Sequence, residues 1–392
     1  MSRFDELIDR RQSSSRKWDG YKDAGIPGDA LPLWVADMDF KTLDEVTEAL
    51  VSRAESGVYG YPLIEEGTTE AIQGWMKRRF NWEVDPAWII HTPGIVFALH
   101  LAVQLFTEEG DSVLINRPVY PPFAKAAKSN QRRVVDVPLI RTGNCYEYDF
   151  EQLEQMIVKE HIKLYILCNP HNPVGKVATA KELQRIAAIC EKHDVMIISD
   201  EIHQDFVYPG YTHIPFLKAN PSFEKAIICT APSKTFNLAG MQFSNVIIAN
   251  SEIREQFEEG MERLGLHMMS SFSSLACKQA YLHGDAYVEE LVDHIRSNVA
   301  YVRQFLQEKL PRLQLIEPQS LYLLWIDFSG YGLSGKALEQ FLVHDAKLWL
   351  SLGEPFGDDK FARMNVACHR STLIDAMERL YQALLKLEEI HA

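Results

Sequence analysis

Three short apolar runs in the middle of the chain each end in a polar side chain. The runs are residues 164–168, 195–199 and 226–229. Their length and near-continuous apolar character predict strands that are buried on both faces, as in a parallel sheet. Asn172, Asp200 and Lys234 follow these runs in chain order. Because ligands bind beyond the carboxyl ends of such strands, we expect the three side chains to converge.

The segment between the first two runs has the pattern of an amphipathic helix. Thr179 and Glu182 have the spacing of a capping box, and apolar residues then recur on one helical face up to Cys190. A strand, a helix and a strand in this order predict a right-handed crossover, which makes the two strands parallel. A similar unit begins at residues 92–94, continues through the apolar residues 95–106 and enters a strand at residues 112–116. The chain is therefore predicted to be an α/β protein.

Length and charge limit the possible organisation and partners. A chain of 392 residues exceeds the usual size of a single core, so a large and a smaller domain are expected. We predict a large domain at residues 50–285, and a small domain formed by residues 286–392 with the N-terminal segment 1–49. The net charge of −14 and the lack of basic runs argue against nucleic acid as a partner.

The sequence also argues against a membrane location. No stretch approaches the ~18 apolar residues that span a bilayer, and residues 1–20 lack the apolar core of a secretory signal. The six cysteines have no paired spacing that indicates zinc or a disulfide framework. We expect a cytoplasmic protein with reduced cysteines, no membrane partner and no metal.

The three strand-end residues have the chemistry that pyridoxal phosphate requires. A lysine can form a Schiff base with the cofactor aldehyde, a carboxylate can keep the pyridine nitrogen protonated, and an amide can bind the ring oxygen. Lys234, Asp200 and Asn172 are the respective candidates. Each alone has an ordinary alternative, as a solvated lysine, a strand-end turn residue or an Asn-Pro turn. Their joint occurrence favours the cofactor.

Phosphate binding is predicted at the start of the second unit. The backbone N–H groups of Gly94, Ile95 and Val96 would begin a helix, and free N–H groups at a helix N-terminus bind anions. The local sequence alone favours a plain helix start after a Pro-Gly turn, and it is the family resemblance described below that favours phosphate binding. Tyr120 is a candidate for stacking on the cofactor ring, with a core tyrosine as the alternative. Arg363 is a candidate for binding a substrate carboxylate, with a surface ion pair as the alternative.

Seven motifs together resemble a known family. They are LWVADMDF at 33–40, YGY at 59–61, PVY at 118–120, CNPHNP at 168–173, SDEIH at 199–203, APSKTFN at 231–237 and RMN at 363–365. The chain resembles the fold type I pyridoxal phosphate enzymes of aminotransferase class I/II, and within them the MalY/PatB-type cystathionine β-lyases, or C-S lyases. The resemblance implies a large domain with a mostly parallel central sheet and a smaller α+β domain.

The resemblance also implies roles for further residues. It adds Ser233, His203 and Tyr61 to the cofactor site, with Tyr61 reaching the cofactor of a partner subunit in a homodimer. It assigns Lys234, Tyr120 and Asp200 to catalysis, and Arg363, Asp39 and Tyr61 to substrate binding. Many aminotransferases place an arginine eight residues after the lysine, whereas this chain has Gln242 there.

The expected reaction is the α,β-elimination of cystathionine or a related cysteine S-conjugate to a thiol, pyruvate and ammonia. Two alternatives remain open. An aminotransferase would use the same cofactor residues and return the amino group to a keto acid. A non-catalytic regulatory protein on the same fold would be favoured by loss of Lys234, Asp200 or Asn172, and all three are present.

Overall fold

The computed structural model describes residues 3–391. Its strands lie in a seven-stranded sheet, a four-stranded sheet and two short pairs. The strands are β1 (Leu31–Pro32), β2 (Ile89–Thr92), β3 (Ser112–Ile115), β4 (Arg133–Asp136), β5 (Ile140–Thr142), β6 (Cys145–Glu147), β7 (Ile162–Cys168), β8 (Met196–Asp200), β9 (Ala226–Thr230), β10 (Ser244–Ile247), β11 (Gln314–Leu315), β12 (Leu323–Asp327), β13 (Leu348–Trp349), β14 (Ser351–Leu352) and β15 (Phe361–Asn365).

Helices cover both sheets. They are α1 (Arg16–Asp19), α2 (Asp44–Glu55), α3 (Thr68–Phe80), α4 (Ile95–Phe106), α5 (Pro122–Ser129), α6 (Phe150–Lys159), α7 (Ala180–Lys192), α8 (Phe216–Ala219), α9 (Pro232–Thr235), α10 (Ser251–Arg263), α11 (Ser271–His283), α12 (Asp285–Lys309), α13 (Gly335–Gln340) and α14 (Arg370–His391). Within residues 3–391, no helix combines the length and the apolar character that crossing a bilayer requires.

The seven-stranded sheet confirms the predicted α/β fold. Its strand order is β2-β10-β9-β8-β7-β3-β4. Five neighbouring strands, from β9 to β4, are parallel, and β10 runs antiparallel to both β9 and β2. The three predicted strands are β7, β8 and β9, and they are adjacent in the sheet. Their carboxyl ends therefore meet at one edge.

Helix α7 shows why the crossover between β7 and β8 forms. The Thr179 side chain accepts the backbone N–H of Glu182, and the Glu182 side chain accepts that of Thr179, which completes the predicted capping box. The apolar face of the helix, from Leu183 to Cys190, is buried. The following strand β8 pairs in parallel with β7, so the predicted βαβ unit is confirmed.

The C-terminal part of the chain builds an antiparallel sheet with the order β11-β12-β15-β14. The strand-like residues 321–328 contain β12, which pairs with β15 along its whole length. The N-terminal segment joins this part through β1, which pairs in parallel with β13. The large sheet lies within residues 50–285 and the four-stranded sheet within residues 286–392, and the exact domain boundaries stay a prediction.

Candidate active site

A cavity of about 820 Å³ lies at the carboxyl ends of β7, β8 and β9. It has the size of a small-ligand site and lies where open α/β sheets bind ligands. Ten residues predicted from the sequence line it, namely Gly94, Ile95, Val96, Tyr120, Asn172, Asp200, His203, Ser233, Lys234 and Arg363. The structure therefore brings together the predicted lysine, carboxylate, amide and arginine.

Lys234 lies in the short helix α9, directly after β9. Its Nζ donates a hydrogen bond of 2.6 Å to the carbonyl oxygen of Ala36. The pKa of Lys234 is lowered to about 8, mainly by burial and next by the positive charge of Arg363, while the carboxylates of Asp37 and Asp200 oppose the shift. A lysine with a lowered pKa has a larger neutral fraction near neutral pH, and the neutral amine is the nucleophile.

Asp200 is the last residue of β8 and is buried. Burial raises the pKa of its carboxyl to about 7, while the backbone N–H of Ile202 and the charge of Lys234 act in the opposite direction. The Ile202 hydrogen bond measures 3.1 Å. A cationic ring nitrogen beside this carboxyl would favour its ionised form, because an opposite charge lowers a carboxyl pKa. Asp200 therefore fits the role of partner to a pyridinium nitrogen.

Arg363 enters the cavity from β15 of the smaller sheet. It donates to Asn172 Oδ1 at 2.9 Å, to the Trp34 carbonyl at 3.1 Å and to Ser351 Oγ at 3.3 Å. Its buried Nε has no hydrogen-bond partner in the described part of the chain. Burial lowers the pKa of Arg363 to about 10, so the group stays charged at neutral pH. A buried cation with an unpaired N–H suits a carboxylate ligand.

Asn172 connects Arg363, the predicted carboxylate-binding residue, with the predicted cofactor site. Its Oδ1 accepts the hydrogen bond from Arg363, which leaves its Nδ2 hydrogens for another acceptor. An oxygen on an aromatic ring is such an acceptor. The contact with Arg363 therefore fixes the amide in the orientation that the predicted role needs.

The N-terminus of α4 lies at the wall of the cavity. Gly94 precedes the helix with φ 144°, and no side chain caps the first turn. A Cβ atom at Gly94 would meet nothing within 4 Å, so the backbone faces open space. The free N–H groups at Ile95 and Val96 and the helix dipole favour a phosphate there. Ser233 lines the same cavity and adds a hydroxyl donor.

His203 and Tyr120 complete the lining. The buried Nδ1 of His203 has no hydrogen-bond partner among residues 3–391, and burial holds the pKa of His203 well below its usual value. The imidazole is therefore neutral. Burial and the charge of Asp200 raise the pKa of the Tyr120 hydroxyl, so this phenol is a hydrogen-bond donor at neutral pH.

The cavity fits pyridoxal phosphate, because it contains the amine of Lys234, the carboxylate of Asp200, the amide of Asn172 and the N-terminus of α4. Each chemical group of that cofactor has a matching residue in the cavity.

Two predicted residues lie outside the cavity. Asp39 is buried and accepts hydrogen bonds from Lys17 at 2.8 Å, Arg10 at 2.9 Å and Trp18 at 2.8 Å. These contacts occupy its carboxylate, so Asp39 holds the N-terminal segment in place and does not contact the cavity. Tyr61 is 94% exposed on an irregular segment and does not line the cavity either. Its predicted contact with a partner subunit stays a prediction.

Several lining residues had no distinct signal in the sequence. Arg16, Trp34, Trp349 and Ser351 come from the N-terminal segment and from the β13–β14 region, far from the strand ends that marked the other residues. Trp34 lies in one of the seven motifs, but nothing in the motif indicates its position in space. Pairing of β1 with β13 brings these distant segments together.

Comparison with known proteins gives a consistent result. Residues 29–380 match the family model described as aminotransferase class I and II. Cystathionine beta-lyase PatB of Bacillus subtilis is 39% identical over 97% of this chain and 99% of that protein. Protein MalY of Escherichia coli is 31% identical over 97% of this chain and 98% of that protein.

Two solved structures have nearly the same backbone. The crystal structure of cystalysin from Treponema denticola, which contains a pyridoxal 5'-phosphate cofactor, has a TM-score of 0.94 and 36% identity, covering 98% of this chain and 99% of that one. The PLP-bound C-S lyase from Staphylococcus hominis has a TM-score of 0.93 and 32% identity, covering 98% of both chains.

Proposed function

Since the chain belongs to the aminotransferase class I and II family, we propose that it is a pyridoxal phosphate-dependent carbon-sulfur lyase. Its reaction is the α,β-elimination of cystathionine or a related cysteine S-conjugate to a thiol, pyruvate and ammonia. The observation that carries the proposal is the single cavity that holds Lys234, Asp200 and Arg363. Full-length similarity to cystathionine beta-lyases supports the choice of reaction within the family.

The bound cofactor supplies an electron sink for the charge that forms when the Cα proton of the substrate is removed. Within the chain, Asp200 holds the ring nitrogen and Asn172 holds the ring oxygen. The N-terminus of α4 and the Ser233 hydroxyl bind the phosphate. His203 and Tyr120 line the ring site, where Tyr120 offers an aromatic face for stacking.

Substrate binding and proton transfer follow from the remaining groups. Arg363 binds the α-carboxylate through its planar guanidinium, which can donate two parallel hydrogen bonds. Lys234 takes the proton from Cα, since a pKa of about 8 leaves part of the amine neutral at neutral pH. The Tyr120 hydroxyl can relay this proton from Lys234 to the departing thiolate, so that both side chains return to their starting protonation states.

We also propose that the active unit is a homodimer in which Tyr61 reaches the phosphate site of the partner subunit. Val58, Tyr59, Tyr61 and Leu63 are all at least 64% exposed within six residues. Such a cluster of exposed apolar side chains is typical of an interface. Gln242 stands where many family members have an arginine, so the phosphate site lacks that cation and gains from another donor. A two-fold dimer lets each Tyr61 serve the opposite site.

A cytoplasmic location is part of the proposal. All six cysteines are free thiols, and five of them are buried. Reduced cysteines are typical of proteins in the cytosol, where thiol buffers prevent disulfides.

An aminotransferase reaction is the second candidate, because Lys234, Asp200 and Arg363 would serve it equally well. The two reactions differ in the need for an amino acceptor. Purified protein with cofactor should release pyruvate from cystathionine and S-alkyl cysteines without any added keto acid. Lys234→Ala is the control and should release none. Turnover that depends strictly on an added keto acid would exclude the lyase proposal.

A further inference from the structure

A second cavity of about 560 Å³ adjoins the active-site cavity. Arg16, Trp34 and Trp349 line both cavities. The indole rings of Trp34 and Trp349 are stacked, with centroids 4.4 Å apart and planes at 18°. The two stacked rings therefore form an apolar wall that borders both cavities.

Arg16 is an available cation at this junction. Its guanidinium lies 5.8 Å from the Trp34 ring centroid, and no carboxylate of residues 3–391 is within salt-bridge distance of it. The neighbouring cations Arg10 and Lys17 are both paired with Asp39.

The second cavity contains one available carboxylate. Asp19 and Asp23 both line it. The oxygens of Asp19 accept the backbone N–H groups of Gln12, Ser13 and Ser15. The side chain of Asp23 has no hydrogen bond or ion pair within residues 3–391 and is exposed. Among residues 3–391, the lining of this cavity therefore offers Arg16 as an unpaired cation and Asp23 as an unpaired anion near an apolar wall.

We propose that this second cavity binds the distal amino-acid group of a thioether substrate, with Arg16 on its carboxylate and Asp23 on its ammonium group. The inference rests on the proposed lyase function and specifies its substrate class. Arg363 would bind the α-carboxylate of the half that reacts, while the stacked rings of Trp34 and Trp349 contact the methylene arm. The chain then prefers cysteine conjugates that carry a second amino acid over simple S-alkyl cysteines.

Three substrates separate the contacts. L-Cystathionine carries both distal groups, S-(3-carboxypropyl)-L-cysteine carries only the carboxylate, and S-butyl-L-cysteine carries neither. Arg16→Ala should lower kcat/KM about tenfold for the first two, mainly through KM, because it removes a charge-assisted hydrogen bond. It should change kcat/KM for S-butyl-L-cysteine by less than about twofold. Arg16→Lys should restore part of the loss, since it keeps the charge.

Lys22→Ala is the matched control. It removes a positive charge six residues from Arg16, at a position that lines neither cavity. The kcat/KM values for all three substrates should stay unchanged. Asp23→Asn should lower kcat/KM only for L-cystathionine, and by about threefold at most, because an exposed ion pair contributes little. An equal loss on all three substrates in Arg16→Ala, or no loss on L-cystathionine, would overturn the proposal.

A binding measurement keeps this test separate from the lyase function. The Lys234→Ala protein loaded with cofactor should bind L-cystathionine without turnover, and calorimetric titration gives its Kd. Adding Arg16→Ala should weaken that Kd about tenfold and leave the Kd of S-butyl-L-cysteine unchanged. If the wild-type protein released pyruvate from no substrate, the lyase proposal would fail, and the titration would still decide the distal site. Equal Kd values with and without Arg16 would refute the distal site alone.

Discussion

Lys234 of the cofactor-free protein should react with pyridoxal phosphate at a pH at which ordinary lysines are almost fully protonated. The pKa of about 8 compares with an ordinary value of 10.5. At pH 7 the neutral fraction is then about 9% instead of about 0.03%. Because only the neutral amine attacks the aldehyde, this difference makes Lys234 about 300-fold more reactive than an exposed lysine at the same pH.

Two substitutions test the cause of the shift. Burial is its largest cause, and the charge of Arg363 is the next. Arg363→Gln removes that charge, so the pKa of Lys234 should rise and the reaction at pH 7 should slow. Asp37→Asn removes a carboxylate that raises the pKa of Lys234, so the reaction should become faster. Neither change should restore the ordinary lysine value, since burial remains.

The assay is stopped-flow absorbance of the cofactor mixed with the cofactor-free protein between pH 6 and pH 10. The same series with a model amine corrects for the ionisation of the cofactor itself. The corrected rate should rise with pH and level off above about pH 8, in line with the lowered pKa. Asp200 lies in the same cavity, and its carboxyl, with a pKa of about 7, also titrates in this pH range. The same series with Asp200→Asn shows how much of the pH dependence of the rate comes from Asp200. A corrected rate that still rises steeply beyond pH 9.5 would refute the reasoning.

Three further predictions concern the cofactor, the fold and the assembly. Asp200→Ala should lower turnover at least about 100-fold and release the cofactor on dialysis, because the ring nitrogen loses its counter-charge. Asp200→Glu should keep part of the turnover and part of the bound cofactor. Unchanged kinetics in the alanine variant would show that another residue holds the ring nitrogen. Thr179→Ala should lower the free energy of unfolding by about 1 kcal/mol, measured by urea denaturation, because it removes the capping box of α7. Lys181→Ala, in the same turn, is the control, and an equal loss of stability in that variant would contradict the prediction. Tyr61→Phe and Lys234→Ala should each be impaired alone, and mixed dimers should regain activity; an active monomer in sedimentation, or no recovery after proven subunit exchange, would exclude the shared site.

The central part of the site could be predicted because its signals are local. Asn172, Asp200 and Lys234 each follow an apolar strand, and the parallel arrangement of β7, β8 and β9 brings their ends together. Gly94 and the helix after it are another local signal. In such cases the order of residues along the chain determines the position in space, since crossover connections place successive strand ends on one edge.

The rest of the site depends on pairings between distant segments. Trp34 and Ser351 both contact Arg363, yet they are 317 residues apart in the chain. No pattern around either residue indicates this proximity. For Asp39, the family resemblance implied a contact with the substrate. Its carboxylate instead forms ion pairs with Arg10 and Lys17, and those partners become apparent only from the path of the N-terminal segment.

The segment of residues 34–38 explains how two sheets form one site. The carbonyl oxygen of Trp34 accepts Arg363 from the smaller sheet, and that of Ala36 accepts Lys234 from the large one. The Tyr322 hydroxyl donates to the same Ala36 carbonyl at 3.1 Å. Asn365, next but one to Arg363, donates to the carbonyls on both sides of Ala36 at 2.7 and 2.6 Å.

These contacts fix the distance between the amine of Lys234 and the guanidinium of Arg363. An elimination needs both groups on one small substrate, the arginine on its carboxylate and the amine at its Cα proton. Since neither sheet alone holds both groups, their relative position depends on the backbone that both contact. The ion pairs of Asp39 with Lys17 and Arg10 anchor that backbone from the other side. Asp39 is therefore connected to the site through the position of residues 34–38.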